Sequence, residues 1–542
     1  MQTTILVLSL LLAVAVSRFI ARFSRLPAPL VQIALGAAIY YAGVSVAALD
    51  PDVFFLLLLP PLLFMDGWRI PKDDLFREAP TILTLAFGLV LFTVLGAGFL
   101  IHWVIPAMPL PVAFALAAVI SPTDPIAVSA IASRAPMPLR MKRILQGEAL
   151  FNDASGLVCM RFAVATMLTG SFALHTAFAS FLWVALGGLA IGAAVPWLIS
   201  KAKPQDSVFV DDDGGAQILT TLLIPFGVYL LAEHLHCSGI LAAVAAGITM
   251  SFTPHAHWHP VTRIRRTAVW ETVQFIANGS IFVLLGEQIP LILSASTETV
   301  HITGHENPWW LGAYVLGIVL ALILLRLVWV WASLQLGSIA SRRRGKPVPG
   351  AHWRVVVALS LAGVRGAITL AGVLTLPLTL ADGTPFPARD LAIFLAAGVI
   401  VLSLLLATVA LPRALKHLAL PADSLHRGAE NTVRTATAEA AIRAIETAEP
   451  PPSTEADGGL RYRDAAAQLI ALYRQRVERL ASDKGFGAAH HSAAEIQHQL
   501  RLTGLRAERD EILQIGSRHD VSELILRKIV REIDLQEARY SS

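Results

Sequence analysis

Two short polar segments, Ser121-Pro-Thr-Asp-Pro125 and Glu148-Ala-Leu-Phe-Asn-Asp153, interrupt apolar sequence. Each segment places a carboxylate where the neighbouring residues predict a hydrocarbon environment. Ionisable side chains at membrane depth are energetically costly, and those that occur there usually mark paths for ions or protons. We therefore expect the stretch from Ser121 to Gly156 to form the functional centre, and most of the remaining chain to support it.

The composition indicates a polytopic membrane protein. Of the 542 residues, 55% are hydrophobic and 15% are charged, whereas soluble chains carry about 25% charged residues. Apolar runs of spanning length, or nearly so, predict about thirteen transmembrane helices in an all-α fold. The runs lie at residues 4–20, 27–48, 52–66, 80–102, 111–132, 147–169, 172–200, 216–233, 237–252, 268–290, 309–338, 353–378 and 390–415.

Charges in the gaps between these runs predict the topology. Gaps after odd-numbered runs are basic, as in the segments Arg18 to Arg25 and Arg342 to Lys346, whereas gaps after even-numbered runs carry almost no basic residue except Arg389. By the positive-inside rule the basic gaps are cytoplasmic, so the N-terminus lies outside and the C-terminus inside. The net charge of +4 comes largely from these loops. We therefore expect membrane lipids, and no nucleic acid, as partners.

The sequence changes character near residue 420. Alanine and charged residues rise beyond this point, no spanning run follows, and Glu449-Pro-Pro-Pro-Ser453 is typical of a linker. Helical spacing returns at 461–482, 492–514 and 520–540. We predict a transmembrane domain at residues 1–420 and a cytoplasmic helical domain at 421–542 that regulates or dimerises. A partly ordered tail is the alternative.

The fifth and twelfth runs share an interruption at similar depth. The segment Ser121–Pro125 contains two prolines, which remove backbone donors and cannot continue a regular helix. The segment Ala362-Gly-Val-Arg-Gly366 places an arginine between glycines. These runs are the fifth of the first six and the fifth of the last six, and the two groups of six start on opposite sides of the membrane. This arrangement predicts two inverted six-helix repeats whose broken helices cross at a midplane binding site.

Several ionisable side chains are predicted at membrane depth. They are Asp66, Asp124, Glu148, Asp153, Arg326 and Arg365. A buried carboxylate must be protonated, paired or bound to a cation. Glu148 and Asp153 lie about 140° apart around one helix, so they can serve different partners. Carboxylate, amide and carbonyl oxygens suit Na⁺, K⁺ or Li⁺ better than a soft metal. A carboxylate that binds either a proton or a cation, exposed alternately to the two sides, is sufficient for antiport.

Five motifs in register resemble a known family. They are Thr123-Asp124-Pro125, Gly147-Glu-Ala-Leu-Phe-Asn-Asp153-Ala154, Ser238-Gly-Ile-Leu-Ala242, Asn278-Gly-Ser-Ile-Phe282 with Leu284-Leu-Gly286, and Gly363-Val-Arg-Gly-Ala367. Together they resemble the monovalent cation:proton antiporters of the sodium/hydrogen exchanger (NhaP-like) type, over about residues 1–420. The resemblance implies a thirteen-helix inverted-repeat fold, a homodimer and elevator-like movement of a core domain.

The resemblance also implies roles for single residues. The transported cation binds at Asp153 with help from Asn152 and Thr123, while Asp124 lies at the helix crossing and Asp66 lies near the cytoplasmic ion path. The pairing of an asparagine with an aspartate implies electroneutral exchange, one proton for each cation.

Three further positions follow from the same resemblance. Arg365 neutralises the carbonyl ends at the crossing, and Glu148 forms a structural ion pair with Arg326. Ala149 stands where related antiporters often carry a serine that binds the ion, so the selectivity among monovalent cations stays open.

Simpler roles remain open for some of these residues. Asp124 could cap the half-helix that restarts at Pro125, and Asn152 could hydrogen-bond a neighbouring helix. Glu148 could take part in transport rather than form a structural pair with Arg326.

The predicted function is exchange of Na⁺ for H⁺ across the cell (inner) membrane by a multi-pass protein that serves pH homeostasis. K⁺/H⁺ exchange is the alternative. An ion channel is the rival of a different class, although the chain shows no filter-like repeat. No hydrolase motif is present, so we expect neither enzyme activity nor a cofactor.

Overall fold

The computed structural model describes most of the helical sequence. The described residues are 2–24, 26–43, 56–70, 78–132, 137–169, 174–202, 214–252, 260–294, 300–301, 303, 305–343, 353–380, 382–416, 424–448, 458–482 and isolated positions beyond 503. Within these ranges the secondary structure is helical, apart from an isolated bridge between Thr379 and Pro385.

Contacts divide the chain into two compact units, residues 1–419 and residues 420–542. The helices of the first unit are α1 (Gln2–Ser24), α2 (Ala28–Tyr41), α3 (Leu59–Arg69), α4 (Ala79–Leu83), α5 (Val90–Val104), α6 (Leu110–Ile120), α7 (Pro125–Ala132), α8 (Leu139–Thr169), α9 (Leu174–Ala202), α10 (Gly214–His234), α11 (Gly239–Phe252), α12 (Pro260–Ser294), α13 (Trp309–Arg343), α14 (Trp353–Leu361), α15 (Ala367–Leu374) and α16 (Arg389–Lys416). A π-helical turn, Thr84–Leu89, joins α4 to α5.

Seven of the described helical segments are long and apolar enough to cross a membrane by length and composition. They are Val7–Ser24, Ala79–Val104, Leu182–Lys201, Gly214–His234, Ile264–Ser294, Trp309–Gln335 and Arg389–Lys416. Shorter apolar helices lie at Ala28–Tyr41, Leu110–Ile120 and Gly239–Phe252. The first unit is therefore that of a multi-pass membrane protein, while the count of thirteen crossings stays a prediction because it depends on short and interrupted helices.

The two predicted interruptions are present, and they meet. Helix α6 ends at Ile120 and α7 begins at Pro125, while α14 ends at Leu361 and α15 begins at Ala367. The backbone N–H of Asp124 donates a hydrogen bond of 2.8 Å to the carbonyl oxygen of Val364, so the two breaks contact each other directly. The inverted relation of the two halves stays a prediction.

The helices of the first unit pack as two groups. Helices α1–α3 and α9–α12 pack mainly with one another, and α4–α8 and α13–α16 pack mainly with one another. The first group, which we call the scaffold group, includes a stacked pair of Phe64 and Trp270 with ring centroids 5.4 Å apart. The second, which we call the crossing group, contains both broken helices and surrounds α6, whose Leu116 and Ile120 are fully buried.

The second unit contains two long helices, α17 (Ser424–Thr447) and α18 (Gly458–Ser482), which pack against each other. Tyr462 donates a hydrogen bond of 3.1 Å to the carbonyl oxygen of Ala448. Helix α18 covers the predicted segment 461–482, whereas 492–514 and 520–540 fall mostly outside the described residues. Sequence reasoning missed α17.

Candidate functional site

The crossing of the broken helices is held by Arg365, which is 3% exposed. Its Nε donates a hydrogen bond of 2.8 Å to the carbonyl oxygen of Ile120, where α6 ends. Its Nη1 donates to the carbonyl oxygen of Gly363 within the second break. Helix ends carry carbonyl oxygens without intrahelical partners and a partial negative charge. One guanidinium thus satisfies a carbonyl from each broken helix.

Glu148 and Arg326 form a buried ion pair between α8 and α13. The Nη1 and Nη2 of Arg326 lie 2.5 Å and 2.7 Å from the two carboxylate oxygens of Glu148. The arginine Nε donates to the carbonyl oxygen of Leu359 at 3.0 Å. The side chain of Arg326 is only 3% exposed and that of Glu148 only 1%. Since both oxygens of Glu148 bind a guanidinium, this carboxylate is already neutralised.

A short hydrogen-bond relay runs from the ion pair toward Asp153. Thr123 Oγ1 lies 3.2 Å from Glu148 Oε1 and donates to it. Asn152 Nδ2 donates to the same threonine oxygen at 3.1 Å. The amide oxygen of Asn152 is buried and has no hydrogen-bond partner among the described residues. Buried acceptors without a donor are rare in native structures, so this oxygen is a candidate cation ligand.

Asp153 follows Asn152 on α8 and lines a cavity of about 390 Å³. The residue is 8% exposed. Asp66 from α3, Asp124 from the first break and Ala149 from α8 line the same cavity. Three carboxylates around one cavity favour the entry of a cation over an anion.

Asp124 also caps α7. Its Oδ1 accepts a hydrogen bond of 3.4 Å from the backbone N–H of Ala127, the geometry expected of an N-cap. The exposed side chains of Arg69, Lys142 and Glu271 also line the cavity and mark its mouth, the end that is open to solvent.

The structure brings all eight predicted site residues into one region. Seven are buried or line the cavity on α3, α8 and the two breaks, and Arg326 joins them from α13. No group of three or more His, Cys, Asp or Glu side chains in the described residues is arranged to hold a metal ion. A cation at Asp153 would therefore need amide, carbonyl or water oxygens as further ligands.

A second cavity of about 560 Å³ lies farther along α8. It is lined by apolar side chains together with Arg161 and Glu233, whose charged groups are 3.6 Å apart. Leu157, one turn after Asp153, also lines this second cavity.

Sequence reasoning missed one buried carboxylate, Glu287 on α12. The residue is 2% exposed, and its Oε1 has no hydrogen-bond partner among the described residues. It lies within the predicted run 268–290. An ionisable side chain inside an apolar run usually has a function, so the sequence alone could have identified Glu287.

Comparison with known proteins identifies the family of the chain. The chain matches the family described as "Sodium/hydrogen exchanger, transmembrane" over residues 7–417. It is 38% identical over 550 residues to the uncharacterized Na⁺/H⁺ exchanger YjcE of Escherichia coli K12, covering 99% of each chain. It is 36% identical over 528 residues to the sodium, potassium, lithium and rubidium/H⁺ antiporter of Bacillus subtilis 168, covering 96% of this chain and 76% of that protein.

A solved structure shares the fold. The sodium proton antiporter MjNhaP1 from Methanocaldococcus jannaschii superposes with a TM-score of 0.57 at 19% identity, covering 77% of this chain and 99% of that one. The family match spans nearly all of the first unit and includes both broken helices and the carboxylates around them. The chain therefore belongs to the sodium/hydrogen exchanger family of monovalent cation/proton antiporters.

Proposed function

We propose that the protein exchanges cytoplasmic Na⁺, and with it K⁺ or Li⁺, for external H⁺ in an electroneutral cycle. One observation carries the proposal. Asp153 lines a cavity and follows Asn152, whose buried amide oxygen has no hydrogen-bond partner among the described residues, while Glu148 is fully engaged by Arg326. One carboxylate on α8 is thus free to bind either a proton or a cation.

The charge balance supports a one-to-one exchange. Asn152 is neutral, and the negative charge of Glu148 is cancelled by Arg326. Asp153 then travels as a neutral group in both directions, with a proton or with a monovalent cation. If a second carboxylate at this position carried another proton, the cycle would move net charge.

The broad choice of cation is supported by the cavity lining. Ala149 supplies no side-chain oxygen to the cavity, so a backbone carbonyl or water completes the coordination. Without a side-chain ligand at this position, the lining offers no oxygen dedicated to one monovalent cation. The Bacillus subtilis relative carries four alkali cations in its name. Exchange of K⁺ in preference to Na⁺ is the alternative, and a channel is the outcome that the assay must exclude.

The two helix groups support an elevator-type cycle. The crossing group carries Asp153 and the ion pair, and the cavity beside it opens between that group and α3 and α12 of the scaffold group. A shift of the crossing group along the scaffold group would close this cavity and open the one lined by Arg161. We propose that the mouth at Arg69 and Lys142 is cytoplasmic, in line with the positive-inside rule.

Two further parts of the proposal concern assembly. We infer that the protein works as a homodimer in the cell membrane, with its N-terminus outside, its C-terminus in the cytoplasm and pH homeostasis as its use. The helical unit that contains α17 and α18 would regulate exchange or support dimerisation.

The test is dissipation of a pH gradient in proteoliposomes that contain the purified full-length protein. We expect Na⁺, K⁺ and Li⁺, added in turn, each to dissipate the gradient, at rates that an imposed membrane potential does not change. The half-saturating Na⁺ concentration should rise as the pH falls, because protons and Na⁺ compete for Asp153. Flux without proton counterflow would indicate a channel, and potential-dependent exchange would overturn electroneutrality.

A matched pair of variants tests the site. Asp153→Asn should abolish exchange while leaving expression and folding intact. Asp390→Asn makes the same chemical change on an exposed side chain at the start of α16 and should leave exchange unchanged. Exchange at wild-type rates by Asp153→Asn would refute the assignment.

A further inference from the structure

The π-helical turn Thr84–Leu89 interrupts an otherwise α-helical segment of the crossing group. In a π turn the backbone hydrogen bonds join residues five apart, which widens the helix and changes the direction of its carbonyl groups. The sequence predicts a regular helix over 80–102, and nothing in its composition requires a π turn. Such turns are rare in proteins overall, and those that occur are often found at functional sites. We therefore look for the contacts that stabilise this one.

Two carbonyl groups of this turn accept hydrogen bonds from neighbouring helices. Ser155 Oγ on α8 donates to the carbonyl oxygen of Ala86 at 2.7 Å. Trp329 Nε1 on α13 donates to the carbonyl oxygen of Thr84 at 3.2 Å. Gly88 leaves room for the indole, because a Cβ atom at this position would overlap the ring of Trp329. The turn thus docks on α8 and α13 at once.

Both donors lie three residues beyond a member of the buried polar network. Ser155 follows Asn152 on α8, and Trp329 follows Arg326 on α13. Residues three apart share one face of an α-helix. The hydroxyl of Ser155 also lies 2.9 Å from the carbonyl oxygen of Asn152 itself. The π turn therefore joins the same faces of the two helices that the Glu148–Arg326 ion pair joins, about two turns away on α8 and about one turn away on α13.

We propose that Ser155 and Trp329 are positioning residues for cation binding, and that they act by fixing α8 and α13 to the π turn. Neither side chain lines the cavity at Asp153. Their hydrogen bonds set the height and separation of the two helices. By positioning α8 and α13, these hydrogen bonds also position the Thr123–Glu148 hydrogen bond and orient the amide oxygen of Asn152. The proposal rests on cation/proton exchange at Asp153.

The test compares two hydroxyl deletions and two indole replacements. Ser155→Ala removes the hydroxyl that contacts the π turn. Thr166→Ala removes a hydroxyl of α8 that donates to the carbonyl oxygen of Phe162 in the same helix at 2.8 Å. Trp329→Phe removes the indole N–H and keeps an aromatic ring, whereas Trp331→Phe makes the same change on a side chain that is 55% exposed.

Two measurements are made on each purified full-length variant. The first is the half-saturating Na⁺ concentration for dissipation of the pH gradient in proteoliposomes. The second is the Na⁺ concentration that gives half of the maximal Na⁺-dependent increase in Tm in detergent. We expect Ser155→Ala and Trp329→Phe each to raise both concentrations about five-fold, as the loss of one hydrogen bond of ordinary strength predicts. The maximal rate should stay within about twofold, and the two control variants should match the wild type.

Rescue separates positioning from general stability. Ser155→Thr keeps a hydroxyl at the same place and should restore the wild-type half-saturation. Two results would overturn the proposal: half-saturation values equal to those of the controls, or a loss of maximal rate and abundance with unchanged half-saturation. If Ser155→Ala does not fold, Trp329→Phe decides the question, because its ring still fills the space beside Gly88. Wild-type protein without Na⁺-dependent exchange or Tm increase would instead refute the proposed function itself.

Discussion

The ion pair between Glu148 and Arg326 allows a quantitative test of how the site is held together. Both side chains are almost fully buried and joined by two hydrogen bonds of 2.5 Å and 2.7 Å. Replacing Glu148 by glutamine leaves the guanidinium without a counter-charge in an apolar interior. Replacing Arg326 by glutamine likewise leaves the carboxylate of Glu148 buried without a counter-charge. Each single change should therefore cost more than the loss of the contact alone.

The expected magnitude follows from the burial. Removing one partner of a buried ion pair costs about 3–5 kcal/mol, because the remaining charge stays desolvated. In a unit of 419 residues, a loss of about 4 kcal/mol lowers Tm by roughly 5 °C. The double variant Glu148→Gln/Arg326→Gln leaves no charge unpaired. We expect it to be more stable than the sum of the single effects predicts by at least about 2 kcal/mol.

The assay is thermal unfolding of the four purified proteins in one detergent, followed by intrinsic tryptophan fluorescence. Glu78 and Arg140 provide a matched control, since they form a similar bidentate pair with distances of 3.0 Å and 3.1 Å. The side chain of Arg140 is 74% exposed, so breaking this pair should cost only about 0–1 kcal/mol. Strictly additive effects of Glu148→Gln and Arg326→Gln, or equal effects at the two pairs, would refute the reasoning.

Three shorter predictions concern the crossing and the cation site. Asp153→Ala should abolish cation-dependent dissipation of the pH gradient, and retained exchange would contradict its role. Arg365→Lys should lower exchange at least ten-fold, because one ammonium group cannot donate along both directions that the guanidinium serves; unchanged rates in proteoliposomes would contradict this. Gly366→Ala should raise the half-saturating Na⁺ concentration, because its Cβ would come within 2.5 Å of the carboxylate of Asp124. Gly317→Ala is the control, since its Cβ would meet no atom within 4 Å, and equal half-saturation in both variants would contradict the prediction.

The fold class was predictable because the bilayer imposes a simple rule on the sequence. Long apolar runs must form helices there, and the paired prolines Pro122 and Pro125 cannot continue one. The breaks therefore appear where the sequence predicts them, after Ile120 and after Leu361. The π turn was not predictable. Its carbonyl oxygens accept hydrogen bonds from Ser155 and Trp329, which lie in two other helices and are far away in the sequence.

The candidate site was predictable as a set of residues and not as an arrangement. The desolvation cost of a carboxylate in an apolar helix is enough to identify Asp153 and Glu148 as groups that need a partner. Which of them has the arginine depends on residues 178 positions apart in the chain. The position of Thr123 shows the same limit. Its hydroxyl bonds both Glu148 and Asn152, so it is engaged in the relay rather than directed at Asp153 alone.

The sequence by itself determined which chemical groups must lie within the membrane, because each ionisable side chain in an apolar run carries a desolvation cost that composition reveals. Only the tertiary structure decided which of those groups are paired and which line the cavity. It neutralised Glu148 with Arg326 and joined the two breaks through Arg365. It also left Asp153 lining a cavity without an arginine partner among the described residues. Charge neutralisation needs atoms within a few ångströms, and only the packing of distant helices brings them that close.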